Sequence, residues 1–151
     1  MFFAAAVQAA PVYLDLAATV EKTLTLIEQA GRQGIRLLAF PETWIPGYPY
    51  WAWLGSPAWG MKFVQRYHGN SITMDGSGME ATRFAARDAG LLVVIGTSER
   101  DHGTLYIGQS LINPDGSDLA VHATALGRLG ALCCWEHLQP LTKYAMYAQH
   151  E

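Results

Sequence analysis

The stretch "IRLLAFPETWIPGYPYWAW", residues 35–53, decides how the chain folds. Its first six residues form a nearly continuous apolar run, which is typical of a strand buried on both faces. Three prolines and a glycine follow, and they predict a loop without regular structure. Glu42 lies in this loop just beyond the strand, where a carboxylate is either a solvated loop residue or a desolvated general base. The stretch alone leaves both interpretations open.

The segments around this strand have the alternating pattern of an α/β protein. Residues 3–9 predict a first strand, and apolar residues at helical spacing predict a helix with its N-cap at Thr19 and its end near Gly31. The other predicted elements are two helices and the two strands of a hairpin, at residues 58–67, 78–89, 90–101 and 104–116. This order indicates a mixed sheet, and no repeat or linker divides the single domain expected over residues 1–151.

The composition limits the classes of partner. The chain has 151 residues, of which 50% are hydrophobic and 15% are charged, with a net charge of -3. This is enough apolar material for one domain with a substantial core. The ten basic residues are spread along the sequence, so we expect neither nucleic acid nor a membrane surface as a partner. A small-molecule substrate or a protein partner is the better expectation.

The amino terminus and the cysteines predict a cytoplasmic location. The segment "MFFAAAVQAAP" is apolar but lacks a basic leader, and Gln8 interrupts it, so it predicts a buried strand and not a signal peptide. No apolar run approaches the roughly 20 residues that span a bilayer. The two cysteines are adjacent in sequence and are poor candidates for a structural disulfide, which agrees with a reducing compartment.

A second stretch, "GRLGALCCWEHLQPL" at residues 127–141, could carry a nucleophile. Cys134 is predicted where a strand gives way to a helix, and such turns present nucleophiles in α/β proteins. A thiol needs a nearby base, and Glu136 and His137 are close in sequence without being certain to touch it. From spacing alone, a small buried hydrophobe is the more common role, and it fits Cys133 best, on one face of the predicted strand.

Two further sets of side chains, one aromatic and one of histidines, are candidates for a binding site. The aromatic residues of the first stretch either pack rigidly on the core or line a pocket for an apolar substrate; they are Trp44, Tyr48, Tyr50, Trp51 and Trp53. The other set has no metal-ligand spacing and predicts no metal site; it consists of His68, His102, His122 and His150.

Taken together, "LLAFPETWIPGYPYW" and "GRLGALCCWEHLQPLTKYAMYAQ" resemble the nitrilase branch of the carbon–nitrogen hydrolase superfamily. The first matches a strand that ends in Phe-Pro-Glu with a Gly-Tyr-Pro loop after it. The second matches the Gly-Arg-Leu-Gly and Cys-Trp-Glu motifs and the helix that follows them. The hairpin "GTLYIGQSLINPDG" is also similar to that of the family. The match covers nearly the whole chain, while a family member is about twice as long.

The resemblance implies a fold and an assembly. The fold is an αββα sandwich of mixed sheets with outer helices, of which this chain would be the amino-terminal part. Members of the family pair into homodimers across a helical surface, and these often extend into larger oligomers, spirals or filaments. The last residues, "KYAMYAQHE", carry no C-cap signal, so we expect the chain to end inside a helix as a truncated domain would.

The resemblance also implies an activity and a set of site residues. The activity is hydrolysis of a nitrile to a carboxylic acid and ammonia, without a cofactor or a metal. The implied catalytic set has Glu42 as general base, Cys134 as nucleophile and Glu136 as a supporting glutamate. The implied pocket residues come from the aromatic loop and the cysteine motif, and they are Tyr48, Trp51, Trp135 and His137.

The lysine of the family's Glu–Lys–Cys set has no counterpart here. It belongs in a basic stretch between the "NPDG" hairpin and the cysteine motif, but residues 115–126 contain neither lysine nor arginine. Lys143 lies after the cysteine and does not match it. We therefore expect an internal gap of a couple of dozen residues near 115–126. The alternatives to a nitrilase are an amidase or a nitrile-to-amide hydratase of the same superfamily, and a non-catalytic assembly protein.

Overall fold

The computed structural model describes residues 1–115, 118–119, 122–134 and 138–149. The helices are α1 (Leu16–Arg32), α2 (Trp51–Leu54), α3 (Pro57–Asn70), α4 (Ser77–Ala89) and α5 (Pro140–Tyr147). The strands are β1 (Phe3–Ala6), β2 (Ile35–Ala39), β3 (Leu92–Asp101), β4 (Thr104–Ile112), β5 (Asp118–Leu119), β6 (His122–Thr124) and β7 (Gly127–Leu129).

The strands form a five-stranded sheet in the order β1-β2-β3-β4-β5 and a two-stranded sheet of β6 and β7. In the larger sheet β1, β2 and β3 are parallel, whereas β4 and β5 are antiparallel to their neighbours. The parallel pairs need long crossovers, which α1 and the α2–α4 segment provide. The predicted α/β class with a mixed sheet is therefore confirmed.

The main core lies between the larger sheet and the helices α1 and α4. Ile27 of α1 and Met79 of α4 are fully buried, and both belong to one apolar cluster with Val93 and Ile95 of β3. Val93 and Ile95 share one face of β3, because side chains alternate along a strand. The opposite face is less covered, since Ile107 of β4 is 60% exposed. The sandwich is thus not closed.

The start of α1 differs from the prediction. The helix begins four residues earlier than expected, because Asp15 is extended and its carboxylate accepts a hydrogen bond from the Ala18 amide. Thr19 is not the N-cap; it is buried inside the helix, and its hydroxyl donates to the Val12 carbonyl oxygen. Asp15 is also a residue type that caps helices well, and the bond of Thr19 to Val12 fits its place inside the helix.

The cysteine motif also differs from the prediction. Only Gly127–Leu129 form a strand, while residues 130–133 have no strand assignment. An apolar extended segment becomes a strand only where a neighbouring strand supplies backbone hydrogen bonds. Cys133 therefore does not lie on the face of a strand, although it is half-buried. The helix expected after the cysteine motif spans Pro140–Tyr147.

The aromatic loop is not wholly irregular. The short helix α2 begins directly after Tyr50. The last of the three prolines, Pro49, lies before the helix, so no proline interrupts its backbone hydrogen bonds. Among the described residues, no helix has the length and apolar character that a membrane crossing requires.

The two sides of the sheet should differ in their contribution to stability. Ile95→Ala removes a fully buried side chain of β3 and should lower the free energy of unfolding by about 2–5 kcal/mol. Ile107→Ala on the partly open face is the matched control in the same hairpin and should cost less than about 1 kcal/mol. Urea unfolding followed by tryptophan fluorescence measures both, and equal losses would contradict the assignment of the core.

Candidate active site

Two backbone hydrogen bonds hold the loop after β2 against β3. The Phe40 amide donates to the Val94 carbonyl oxygen at 2.8 Å, and the Ser98 amide donates to the Ile45 carbonyl oxygen at 2.7 Å. Glu42 lies between these two attachment points and is half-buried. One hydrogen bond to β3 precedes Glu42 in the sequence and the other follows it, so β3 fixes the backbone position of Glu42.

Two further hydrogen bonds attach the loop to α1 and to the segment before α1. The Trp44 indole nitrogen Nε1 donates to the Thr23 hydroxyl of α1 at 2.8 Å, and both residues are buried. The Leu14 amide donates to the Pro46 carbonyl oxygen at 2.9 Å. The loop is thus attached to β3, to α1 and to the segment before α1, which makes it a rigid support for Glu42.

Glu42 and Cys134 meet at one small cavity of about 40 Å³. The residues that line it come from the loop, from β3, from β4 and from the cysteine motif, and they are Glu42, Gly96, Gln109, Leu132, Cys133 and Cys134. The structure therefore brings together the two residues that the sequence singled out as base and nucleophile. A carboxylate beside a thiol can accept its proton when the sulfur attacks an electrophile.

The backbone is unusual at both ends of this cavity. Cys134 has a φ of 43° and Thr43, next to Glu42, has a φ of 44°. Residues with a Cβ rarely adopt this left-handed conformation, and for the β-branched Thr43 it is an outlier. Such strain is typical of sharp turns that present a reactive side chain. The Cys134 side chain is exposed, so a reactant can reach the sulfur from outside.

The size of the cavity limits what it can enclose. About 40 Å³ accommodates a water molecule, whereas a benzene ring occupies a cavity of about 150 Å³. A larger groove of about 740 Å³ lies between α1 and α4 and is lined by residues such as Glu28, Arg32 and Asp88, none of them a candidate site residue. The cavity therefore has room for a small reacting group and not for an aromatic ring.

The predicted pocket residues that the structure describes do not line this cavity. Trp51 lies against the ring of Phe63, with centroids 6.0 Å apart, and against the ring of Tyr67, with centroids 5.8 Å apart. Tyr48 is half-buried, with its ring centroid 4.9 Å from that of Tyr50. These aromatic side chains pack against other aromatic residues and not against the cavity.

Tyr67 is a titratable group of the aromatic cluster that it forms with Trp51. Burial raises the pKa of its hydroxyl above the ordinary value, and a hydrogen bond with the Ser98 side chain opposes part of that rise. The Ser98 hydroxyl also accepts a hydrogen bond from Ser71 at 3.0 Å. The aromatic cluster is thus connected to the same end of β3 that holds the loop.

Three of the predicted residues, Trp135, Glu136 and His137, lie outside the described residues. Three residues that the sequence did not single out line the cavity, namely Gly96, Gln109 and Leu132. A signal for Gly96 was present, since a glycine inside a strand pattern often marks the close approach of another backbone. Gln109 could not be found from the sequence, because its place depends on its pairing with Gly96 in the register of the hairpin.

The comparisons with known proteins show the family of the chain. The family model for carbon–nitrogen hydrolases matches residues 3–123. A nitrilase from Pseudomonas syringae pv. syringae is 52% identical over an alignment that covers 97% of this chain and 51% of the relative. An arylacetone-specific nitrilase from Alcaligenes faecalis is 46% identical, with 98% of this chain and 48% of the relative covered. The chain belongs to the carbon–nitrogen hydrolase family.

The fold agrees as well. The crystal structure of the NitFhit protein from C. elegans superposes with a TM-score of 0.73, at 16% identity, over 99% of this chain and 42% of that chain. This chain spans about half the length of the curated relatives it matches. The alignment with the Pseudomonas nitrilase is 171 positions long, which is 20 more than the 151 residues of the chain. At least that many internal positions of the alignment therefore have no residue in this chain.

The raised pKa of Tyr67 predicts a loss of stability in alkali. The folded state retains the hydroxyl proton at a pH at which the unfolded chain releases it, so this contribution is present below about pH 10 and is lost as the pH rises further. From pH 9 to pH 11, the urea midpoint of the wild type should fall more than that of Tyr67→Phe. The exposed Tyr106→Phe on β4 is the matched control and should follow the wild type. Parallel curves for all three proteins would contradict the prediction.

Proposed function

We propose that the protein hydrolyses a nitrile to a carboxylic acid and ammonia, with Cys134 as nucleophile and Glu42 as general base. The observation that carries the proposal is the small cavity that both residues line, in a chain of this family. The nitrilase names of its relatives support the choice of a nitrile as substrate.

In the proposed reaction, Glu42 accepts the thiol proton as the Cys134 sulfur attacks the nitrile carbon. The proton passes to the nitrile nitrogen, which gives a thioimidate. A first water molecule adds to the same carbon, and ammonia leaves to give a thioester. A second water molecule hydrolyses the thioester, which releases the carboxylic acid and restores the thiol. Glu136 is proposed to support this pair, and no cofactor or metal takes part.

The proposed substrates are aromatic or arylaliphatic nitriles. Cys134 is open to solvent on one side, so the reacting group can enter the small cavity while the ring remains outside it. We assign contacts with the ring to Trp135 and His137, which follow Cys134 in the sequence, because Tyr48 and Trp51 pack against other aromatic residues away from the cavity. A relative named for arylacetone specificity, at 46% identity, supports this class.

The missing lysine is the main departure from the family's catalytic set. We propose that the block that would carry it is absent near residues 115–126, which contain neither lysine nor arginine. Two observations support a missing block: the alignment is 20 positions longer than the chain, and the family model stops matching at residue 123. The lysine would place positive charge where the tetrahedral intermediate develops negative charge.

We also propose that the chain self-associates through α5. Three large apolar side chains of this helix are exposed, namely Leu141 at 84%, Tyr144 at 73% and Tyr147 at 64%. Exposed apolar surface of this kind is typical of interaction sites. The same surface would serve a non-catalytic assembly protein, so the chemistry of Cys134 distinguishes the two functions.

The nucleophile can be tested with 2-cyanopyrimidine, an electron-poor aromatic nitrile, and intact mass spectrometry. The chain should gain the whole mass of the nitrile on Cys134, as a thioimidate does. Cys134→Ser should abolish the adduct, while the matched variant Cys133→Ser should retain it. Glu42→Gln should slow its formation at pH 7 by about 10²-fold, since a general base contributes about 10²–10⁴-fold. Concentration-dependent oligomers without any adduct would instead favour the assembly protein.

The missing cation should appear as slow turnover. Ammonia release from an aromatic nitrile should be about 10²–10³ times slower for the 151-residue chain than for the full-length Pseudomonas relative, because a single donor to the developing charge contributes that much. The Cys134→Ser chain gives the background rate. Turnover comparable with that of the relative would contradict the proposal that the missing lysine block slows the reaction.

A further inference from the structure

We infer that Gly96 is a positioning residue for Glu42: it is glycine because the backbone that carries Glu42 occupies the place of its side chain. This inference rests on the proposed role of Glu42 as general base. Gly96 lies inside β3, where a residue with a β-branched or aromatic side chain would otherwise be favoured. Its φ is not in the left-handed region, so backbone conformation does not explain the glycine.

The distances show what a side chain at this position would meet. A Cβ atom on Gly96 would lie 2.5 Å from the Pro41 carbonyl oxygen, 2.7 Å from the Glu42 Cα atom and 2.8 Å from the Thr43 amide nitrogen. Carbon atoms in contact are normally about 3.5–4.0 Å apart. All three neighbours are backbone atoms, so no rotation of a side chain can relieve the contact.

Neither partner in this contact can move easily. The loop is attached to β3 on both sides of Gly96, through the Val94 carbonyl oxygen and the Ser98 amide. The strand is fixed by the flanking residues Ile95 and Thr97, which are fully buried, and by its pairing with β4. A methyl group at position 96 would therefore displace the segment of residues 41–43, and the Glu42 carboxylate with it.

Another glycine of the hairpin provides a matched control. Gly103, at the turn between β3 and β4, has no atom within 4 Å of the place where its Cβ would lie. Its φ is also outside the left-handed region. Gly103→Ala therefore adds the same methyl group to the same hairpin without touching the Glu42 loop.

The test compares two reactions of the Cys134 thiol in the full 151-residue chain. Addition of 2-cyanopyrimidine at pH 7 requires a proton to move from sulfur to nitrogen, which is the proposed task of Glu42. Alkylation by iodoacetamide at pH 9 requires no proton on the electrophile and reports only whether the thiol is ionised and accessible. The ratio of the two rates therefore detects a misplaced base, whereas a general loosening of the structure changes both rates together.

Gly96→Ala should lower this ratio by about 10²-fold, as Glu42→Gln does, because displacement of a catalytic group by about 1 Å costs that much. Gly103→Ala should keep the wild-type ratio. If Glu42→Gln lowers the ratio and a folded Gly96→Ala does not, the inference about Gly96 is overturned while the proposed function stands. If Glu42→Gln leaves the ratio unchanged, the role of Glu42 as base is wrong and the inference fails with it.

A second variant covers the case in which Gly96→Ala does not fold. Thr43→Gly removes the left-handed strain next to Glu42 and gives the displaced segment freedom to move. The double variant Thr43→Gly/Gly96→Ala should therefore fold and show a ratio below that of Thr43→Gly alone. A double variant that remains unfolded, or one with the ratio of Thr43→Gly, would show that Gly96 does not act through the Glu42 segment.

Discussion

The contact between the loop after β2 and the strand β3 is the constraint on which the site depends. Parallel strands share hydrogen bonds only up to their ends, and here the ladder continues past the end of β2 through the Phe40 amide and the Ile45 carbonyl oxygen. The segment between them must turn within a few residues, and it lies on the face of β3 where Gly96 has no side chain. A flexible loop would give Glu42 many positions, whereas this one gives it a single position.

The sequence predicted the parts of this arrangement that depend on local pattern. The apolar run of β2, the helices before β3 and the β3–β4 hairpin follow from periodicity and turn residues. The contact of Glu42 with the cysteine motif does not, because it depends on tertiary packing between segments far apart in the chain. The strand predicted up to Cys134 was wrong beyond Leu129, since apolar character alone cannot say whether a neighbouring strand is present. Cys134 was predicted as the nucleophile from the family resemblance and not from its spacing to Glu136 and His137.

Two of the four left-handed non-glycine residues in the described part of the chain, Thr43 and Cys134, lie at or next to the cavity that Glu42 lines. Each costs of order 1–3 kcal/mol and persists only where the surroundings determine the backbone. For Thr43 the surroundings are the two attachment points on β3 and the burial of Trp44 and Ile45, which are 1% and 0% exposed. The hydroxyl of Thr43 is buried without a hydrogen-bond partner among the described residues, which adds to the cost. The core between the sheet and α1 offsets both penalties.

The proposed roles divide the chemistry between two parts of the chain. In the proposed mechanism, proton transfer from the thiol needs Glu42 close to Cys134, and the two residues line the same small cavity. Stabilisation of the tetrahedral intermediate needs a positive charge, and neither β4 nor residues 115–126 supply one. On the proposed roles, addition of the sulfur to a nitrile and hydrolysis of the resulting intermediate should therefore be separable in this chain. The first step would depend on the backbone geometry that we assign to Gly96, and the second on a cation that residues 115–126 do not carry.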